Sequence, residues 1–365
     1  MADFSLATAN QVQKWDAEFF AEYVRNSGFK AYMGRGSNMP IVAKYELTDA
    51  GKSINIPLIT RLSGAGVTGS TALEGAEEAL GNFNHKISID WKRNGVLITK
   101  DQQHYTEMDL RRAARDMLSY WAMSGLRDDI IAAMQSKWET AGGTAVAYGS
   151  ATEAQKDLWL DNNLDRVLFG AAITNVSTSA PAGGATNDHS ASLLNVDNTA
   201  DKLSRSVISL MKRRAKAADP HIRPIRVNDG SGREYFVAFT GSLPFRDLKL
   251  DLDTVNADAR ARNVDSNPIF QDGDLIYDGV IVREIPEMAP ISGVGNGGIN
   301  VGEVFLCGAQ ALGVAWGQEP KSTTDTRDYN FRRGVGIEEA RGVSKLVYDN
   351  VDHGIVTGYV AAVGA

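Results

Sequence analysis

The longest single pattern in the chain runs from Thr106 to Thr140, where apolar side chains recur at helical spacing. Leu110, Ala114, Met117 and Trp121 form one stripe; Met123, Leu126, Ile130, Met134 and Trp138 form a second, displaced around the axis. This periodicity predicts one helix whose apolar face changes near Gly125, implying a bend or two packing partners. Thr106 and Asp109 resemble a capping box, Glu107 with Arg111 and Arg112 with Asp116 are i,i+4 pairs, and Gly142-Gly143 supplies a stop. At 1.5 Å per residue such a helix is on the order of 50 Å long, well beyond the roughly 10–14 residues usual in globular proteins. It predicts a structural spine with other elements laid along it.

What precedes the spine is extended and poor in burial of its own. Ile54, Ile56 and Leu58 alternate with Ser53, Asn55 and Pro57, and Ile87, Ile89 and Trp91 alternate with Ser88, Asp90 and Lys92. Both runs have the period of strands, and Pro57 confines its strand to an edge. Asn94-Gly95 is a tight turn or a bulge that carries the strand on through Ile98. Residues 45–100 therefore read as a long two-stranded arm with a glycine-rich, mobile tip, and a two-stranded arm is marginal alone. It needs a partner surface. In the first 44 residues Trp15, Phe19 and Tyr23 recur at i+4 on a short helix, followed by glycine-rich coil to Pro40. Three aromatics on one short helix must dock on the same chain or on a neighbour.

After the spine, residues 152–169 suggest a helix, 177–198 a Ser/Thr/Gly/Ala-rich surface loop, and 199–218 a second helix ended by Pro220. Tyr235 to Phe239 reads as a strand buried on both faces, and Ser242 as the cap of a short helix with Pro244 in its first turn. Leu275 to Val282 is a hairpin about Asp278-Gly279, and residues 303–316, 329–339, 342–348 and 354–363 read as strands. The fold class is α+β, with one mixed region within 145–290 and another combining the spine with the C-terminal strands.

No constellation for catalysis emerges. Gly64, Gly66 and Gly69 have Gly-x-Gly-x-x-Gly spacing, but Ser70 to Leu80 is polar and glycine-broken where a dinucleotide site needs an apolar helix. Ser209-x-x-Lys212 lacks the companion motifs of penicillin-recognising enzymes. The histidines His85, His104, His189, His221 and His353 are scattered without metal-ligand spacing, and Asp128-Asp129 and Glu77-Glu78 read as solvated charge. Cys307, the one cysteine, lies in an apolar run and reads as a buried thiol suited to a reducing compartment. A net charge of −7 disfavours a dedicated nucleic-acid binder, leaving Lys212, Arg213, Arg214 and Lys216 as a helix C-terminal cluster or a patch for DNA. The N-terminus has no signal-peptide blocks, no stretch is long and apolar enough for a membrane span, and no internal repeat is visible. The sequence thus predicts a cytoplasmically made, non-enzymatic protein without cofactor or metal, which binds its own kind.

The order of arm, extended loop, spine, mixed domain and return strands resembles the Hong Kong 97-type major capsid fold of tailed bacteriophages. Gly69 through Leu80, His85 to Trp91, Tyr329-Asn330-Phe331 through Gly334, Gly342 to Val347 and Asp352 to Val356 resemble the N4-like branch. The resemblance implies an N-terminal arm at 1–44, an extended loop at 45–100, a spine at 101–144, an axial domain at 145–290, and C-terminal strands at 291–365 completing a peripheral domain. It further implies hexamers and pentamers closing into an icosahedral head around double-stranded DNA held without sequence specificity. Assembly would take place in the host bacterial cytoplasm, with no membrane partner. No long charged helical segment precedes the arm, so a separate scaffolding protein is implied, with a portal and decoration proteins as further partners. Trp15, Phe19, Tyr23, Ile54, Ile56, Leu58, Ile87, Ile89 and Trp91 are the expected contacts between subunits. Two other readings compete: a nanocompartment shell of the encapsulin kind, and an oxidoreductase built on the Gly64 to Gly69 loop.

Overall fold

A computed structural model describes residues 29–60, 62, 64, 66–69, 72–75, 77–105, 110–137, 145–226, 234–260 and 275–364. Five strands precede the long helix: β1 (Met33–Gly34), β2 (Ile41–Lys44), β3 (Ser53–Ile59), β4 (Asn82–Ser88) and β5 (Asp90–Thr99). A short helix, Lys100–His104, leads to the long helix, Leu110–Gln135. Beyond it come a helix at Glu153–Asn162, β6 (Val167–Phe169), a helix at Arg205–Ala217, β7 (Ile225–Arg226), β8 (Glu234–Thr240) and a helix at Ser242–Arg260. The chain continues through β9 (Leu275–Tyr277), β10 (Val280–Glu284), β11 (Val301–Cys307), β12 (Leu312–Arg327) and β13 (Arg332–Lys345). It closes with β14 (Val347–Tyr348), β15 (Val351–Asp352) and β16 (Ile355–Ala361).

Two sheets carry the architecture. The first has the order β1-β2-β12-β13-β5, and its backbone is the long antiparallel hairpin β12–β13. Strand β5 pairs with β13 in unbroken register from Asp90 opposite Arg341 to Thr99 opposite Arg332. The second sheet has the order β6-β16-β11-β8-β10-β9, with β7 beside β8. Its inner strands alternate between two apolar layers. Val237, Phe239, Phe305 and Cys307 share a core with Leu126, Ile130 and Met134 of the long helix and with Val314, Trp316, Val335 and Ile337 of the first sheet. Phe236, Ala238, Val304 and Leu306 pack instead with Val207 and Met211 of the Arg205–Ala217 helix and with Leu248. A sheet covered on both faces reads as a continuous apolar run, which is why Tyr235 to Phe239 was legible as a buried strand.

Several sequence expectations are corrected by local physics. The long helix ends at Gln135, because Lys137 instead exchanges backbone hydrogen bonds with Val146. Its 26 described residues span about 39 Å. Thr106, Asp109, Trp138 and Gly142-Gly143 lie outside the described residues. Gly125 does not interrupt the helix; a Cβ there would meet the Arg341 guanidinium at 3.2 Å. Of the first stripe Ala114 is buried while Met117 and Trp121 are exposed, and Leu118 and Ala122 are buried in their stead. Val167 and Leu168 leave the expected helix for β6, parallel to β16, since Asn163 caps the helix by donating to the Trp159 carbonyl. The expected surface loop holds a short helix, His189–Leu193, with His189, Leu193 and Val196 buried. The Ser242 helix is 19 residues long rather than short. Residues 329–348 form one long strand and a short one rather than breaking at 340, and the run from 303 breaks at Gly308, which leaves no room for a Cβ against the Arg223 carbonyl.

The two sheets share out the C-terminal strands. Strands β11 and β16 complete the second sheet beside β6 and β8, whereas β12 and β13 build the first sheet with β5. Asn94-Gly95 is neither turn nor bulge, and β5 passes straight through it. The Asp278-Gly279 turn has both residues at positive φ, as a two-residue hairpin requires.

Candidate functional site

The segment expected to seek burial elsewhere divides into a base that packs at home and a tip that does not. Strands β3 and β4 pair from Ser53 opposite Ser88 to Ile59 opposite Asn82. Period-two alternation puts Ile54, Ile56 and Leu58 on one face with His85, Ile87 and Ile89. That face packs on Leu47, Ala315, Leu346 and Tyr348 of the same chain. Ile87 is 1% exposed, and its Cδ1 atom fills the notch left by Gly313, where a Cβ would stand 2.5 Å away. Ile89 fills the notch at Gly317 in the same way. The Tyr348 hydroxyl donates to the Ile56 carbonyl at 3.3 Å, and the His85 ring lies 3.1 Å from the Val347 carbonyl oxygen and 2.9 Å from Ser344 Oγ. Ile54, Ile56, Leu58, Ile87 and Ile89 thus come together against their own sheet, and Ile87 is wholly covered there. Trp91 stands apart on β5 and is exposed; Trp15, Phe19 and Tyr23 lie outside the described residues.

Besides Trp91, further apolar residues are left in water. Ile59, Leu62, Leu73, Leu80 and Phe83 are exposed around the hairpin tip. Met117, Tyr120 and Trp121, at i, i+3 and i+4, form an exposed patch on the long helix. Tyr329 and Phe331 protrude from the β12–β13 turn, where Asp328, Tyr329 and Asn330 all hold left-handed φ without being glycine. Such a turn costs local strain and persists when its side chains have a use. Sequence reasoning missed these surfaces, although one signal was present: the long helix carries more apolar stripes than one core can cover.

Side chains with chemical potential are engaged structurally. Lys212 is bound to the Asp278 carbonyl and carboxylate, and Ser209 donates to the same carboxylate. Gly64, Gly66 and Gly69 join two antiparallel strands, not a strand and a helix, which removes the dinucleotide geometry. Among the described residues no group of His, Cys, Asp and Glu could hold a metal ion. Cys307 is fully buried, and that burial pushes its thiol up.

Two charge networks, the first half-buried and the second buried, tie the long helix to the sheets. Arg341 reaches Asp129 through Nε at 3.0 Å and Nη2 at 2.7 Å and is also bound to Glu339; Lys92 reaches Asp129 at 2.6 Å. At the helix end Lys137 donates to the Tyr359 hydroxyl at 2.8 Å and lies 3.7 Å over the Trp159 ring. Lys345 donates to Asp352 at 2.7 Å and to the Ser136 carbonyl at 2.8 Å, while Glu303 accepts from Gln135 at 2.7 Å. Burial draws the Lys137 ammonium down to about 7 and pushes the Glu303 carboxyl up. Both act as internal braces.

Comparison with known proteins points the same way as these surfaces. A family model described as phage capsid protein matches residues 3–363. The major capsid protein of Pseudomonas phage KPP25 is 28% identical over 392 residues, covering 99% of this chain and 97% of that one. The capsid asymmetric unit of cyanophage Pam1 is 40% identical, covers 100% of both chains and superposes with a TM-score of 0.83. The capsid of Ralstonia phage GP4, at 23% identity, shares the fold over 92% of this chain and 91% of that chain with a TM-score of 0.68.

Proposed function

Because the chain belongs to the phage capsid protein family, we propose that it closes phage heads by burying on its neighbours the apolar surface that its own fold leaves exposed. It is a major capsid protein of the Hong Kong 97-type fold, with a structural rather than an enzymatic role, and its place is the virion shell. Nothing among its relatives favours a cellular compartment or an oxidoreductase.

The finer assignments belong to the proposal. The first sheet and the long helix serve as the peripheral domain, the second sheet with its helices as the axial domain, and the β3–β4 hairpin as the extended loop. Copies gather into hexamers and pentamers, which close into an icosahedral head around double-stranded DNA. Assembly in the host cytoplasm draws on a separate scaffolding protein and a portal, with decoration proteins outside. The single observation that carries this reading is the concentration of exposed apolar side chains on a slender hairpin tip, on one helix face and on a strained turn. Patches of that kind on a folded chain mark association surfaces. Many weak heterologous contacts, repeated around closed rings, sum to a stable particle. The subunit's mild negative charge keeps packaged DNA from adhering to the inner wall.

Expression of the chain alone and together with a scaffolding protein, followed by negative-stain electron microscopy, tests the reading. Closed particles of uniform diameter are expected. Dispersed monomers under both conditions would sink it.

A further inference from the structure

We propose that Glu74, at the tip of the β3–β4 hairpin of one copy, seats in a cationic cavity beside the start of the long helix of a second copy. The inference rests on the shell reading above and names the contact that the hairpin makes.

The receiving cavity, of about 250 Å³, is lined by Ile98, Thr99, Lys100, Gln103, Arg111 and Arg333. Three of these carry positive charge and none carries negative charge. Four elements converge to build it: the end of β5, the short helix Lys100–His104, the start of the long helix and the first residues of β13. The Lys100 amide donates to the Phe331 carbonyl at 3.0 Å, which holds the exposed Tyr329 turn beside the opening.

The hairpin tip has the complementary character. Between Thr60 and Gly81 stand Glu74, Glu77 and Glu78 against a single basic residue, Arg61. Glu77 accepts from the Gly75 amide at 2.7 Å and Glu78 from the Gly64 amide at 2.6 Å. Glu74 makes no hydrogen bond or ion pair among the described residues. It sits between the exposed Leu73 and Gly75, whose φ of 87° lies in the left-handed region. A carboxylate with an apolar neighbour matches a cavity with three cations and an Ile98 wall.

The tip cannot reach the cavity of its own chain. At its base the hairpin lies with Ser88 against Gly342, and nearer the tip His85 lies against Val347. The hairpin therefore runs along the β13–β14 direction, away from Arg333. From Arg333 to Val347 is about 45 Å at roughly 3.3 Å per residue. Only another copy can bring the two together.

Charge exchange tests the contact. Glu74→Arg and Arg333→Glu are each expected to lower the yield of closed shells about tenfold at physiological salt while leaving circular dichroism and melting of the subunit unchanged. The double variant is expected to restore the yield to within about threefold of the parent. Lys100→Glu provides a second receiver variant should Arg333→Glu fail to fold, with the same restoration expected when it is paired with Glu74→Arg. Normal assembly of Glu74→Arg would overturn the proposal. A double variant as defective as either single one would overturn it as well. In both of those outcomes the shell reading stands, since it fails only if the unsubstituted chain forms no shells.

Discussion

Replacing Gly342 with alanine is expected to lift the hairpin base off its own sheet. A Cβ at this position would lie 2.9 Å from the Ser88 carbonyl carbon, nearer still to its oxygen, and 3.2 Å from Ile87 Cγ2. The first two atoms are backbone, so no rotamer change relieves the clash. Carbon atoms in contact prefer about 3.5–4.0 Å, which requires β4 to move by about 0.6 Å or more. Overpacking of this kind costs about 1–3 kcal/mol. Displacing Ile87 from the Gly313 notch forfeits part of its burial, whose full loss in an Ile→Ala change costs about 2–5 kcal/mol. The expected destabilisation is about 2–5 kcal/mol, a large fraction of the roughly 5–15 kcal/mol that holds a domain folded. Urea unfolding of dissociated subunits, followed by tryptophan fluorescence, reads this directly, with Gly149→Ala as a control because nothing lies within 4 Å of a Cβ there. A Gly342→Ala subunit within about 0.5 kcal/mol of the parent would refute the placement of the hairpin base on the sheet.

Three other outcomes are expected. Replacing Trp15, Phe19 and Tyr23 with serine should reduce particle yield, measured by sedimentation, more than it lowers subunit stability; unchanged yield would remove them from the contacts between copies. Asp129→Ala removes the carboxylate oxygen shared by Arg341 Nε and Nη2, leaving Arg341 with Glu339, and should cost about 1–3 kcal/mol in urea unfolding, against a near-neutral result if the pair is merely superficial. Acid should weaken the subunit as pH falls below about 6.5. Burial holds His353 down to about 4, with the Arg166 charge adding to the effect, and burial also lowers His85 and His189. The unfolded chain then takes up protons between pH 6.5 and 4 that the folded chain refuses, so this stability is complete above the unfolded value and is lost on acidification. A denaturation midpoint that stays flat from pH 7 to 5 would contradict it.

Much of the fold was legible because period and punctuation agreed. The long helix, the buried strand at Tyr235 to Phe239 and the Asp278-Gly279 hairpin each combine a strong repeat with an explicit turn or cap. What stayed hidden depended on partners distant in sequence. Val167 to Phe169 extends a helical pattern on paper and becomes a strand only because β16 offers it an edge. Gly313, Gly317 and Gly342 look like ordinary strand interruptions until Ile87 and Ile89 are seen to occupy the space they leave. The same long-range packing explains the surfaces. Alternation identified Ile54, Ile56, Leu58, Ile87 and Ile89 as one apolar face, but it could not say that the face is covered by Leu346 and Tyr348 of the same chain. Nor could a two-stripe helix reveal which stripe is left over. Met117, Tyr120 and Trp121 are exposed because the core shared with the first sheet already takes Leu118 and Ala122.

The account stands on burial that a lone subunit lacks and an assembled one gains. Hydrogen–deuterium exchange, compared between dissociated subunits and closed particles, measures this at residues 60–81, 117–121 and 328–331. The prediction is rapid exchange at residues 60–81 and 328–331 in the subunit and strong protection in the particle, with exchange at the helical residues 117–121 slowed further by assembly and β8 and β11 equally protected in both. Exchange at those three segments that is identical in the two states would contradict it.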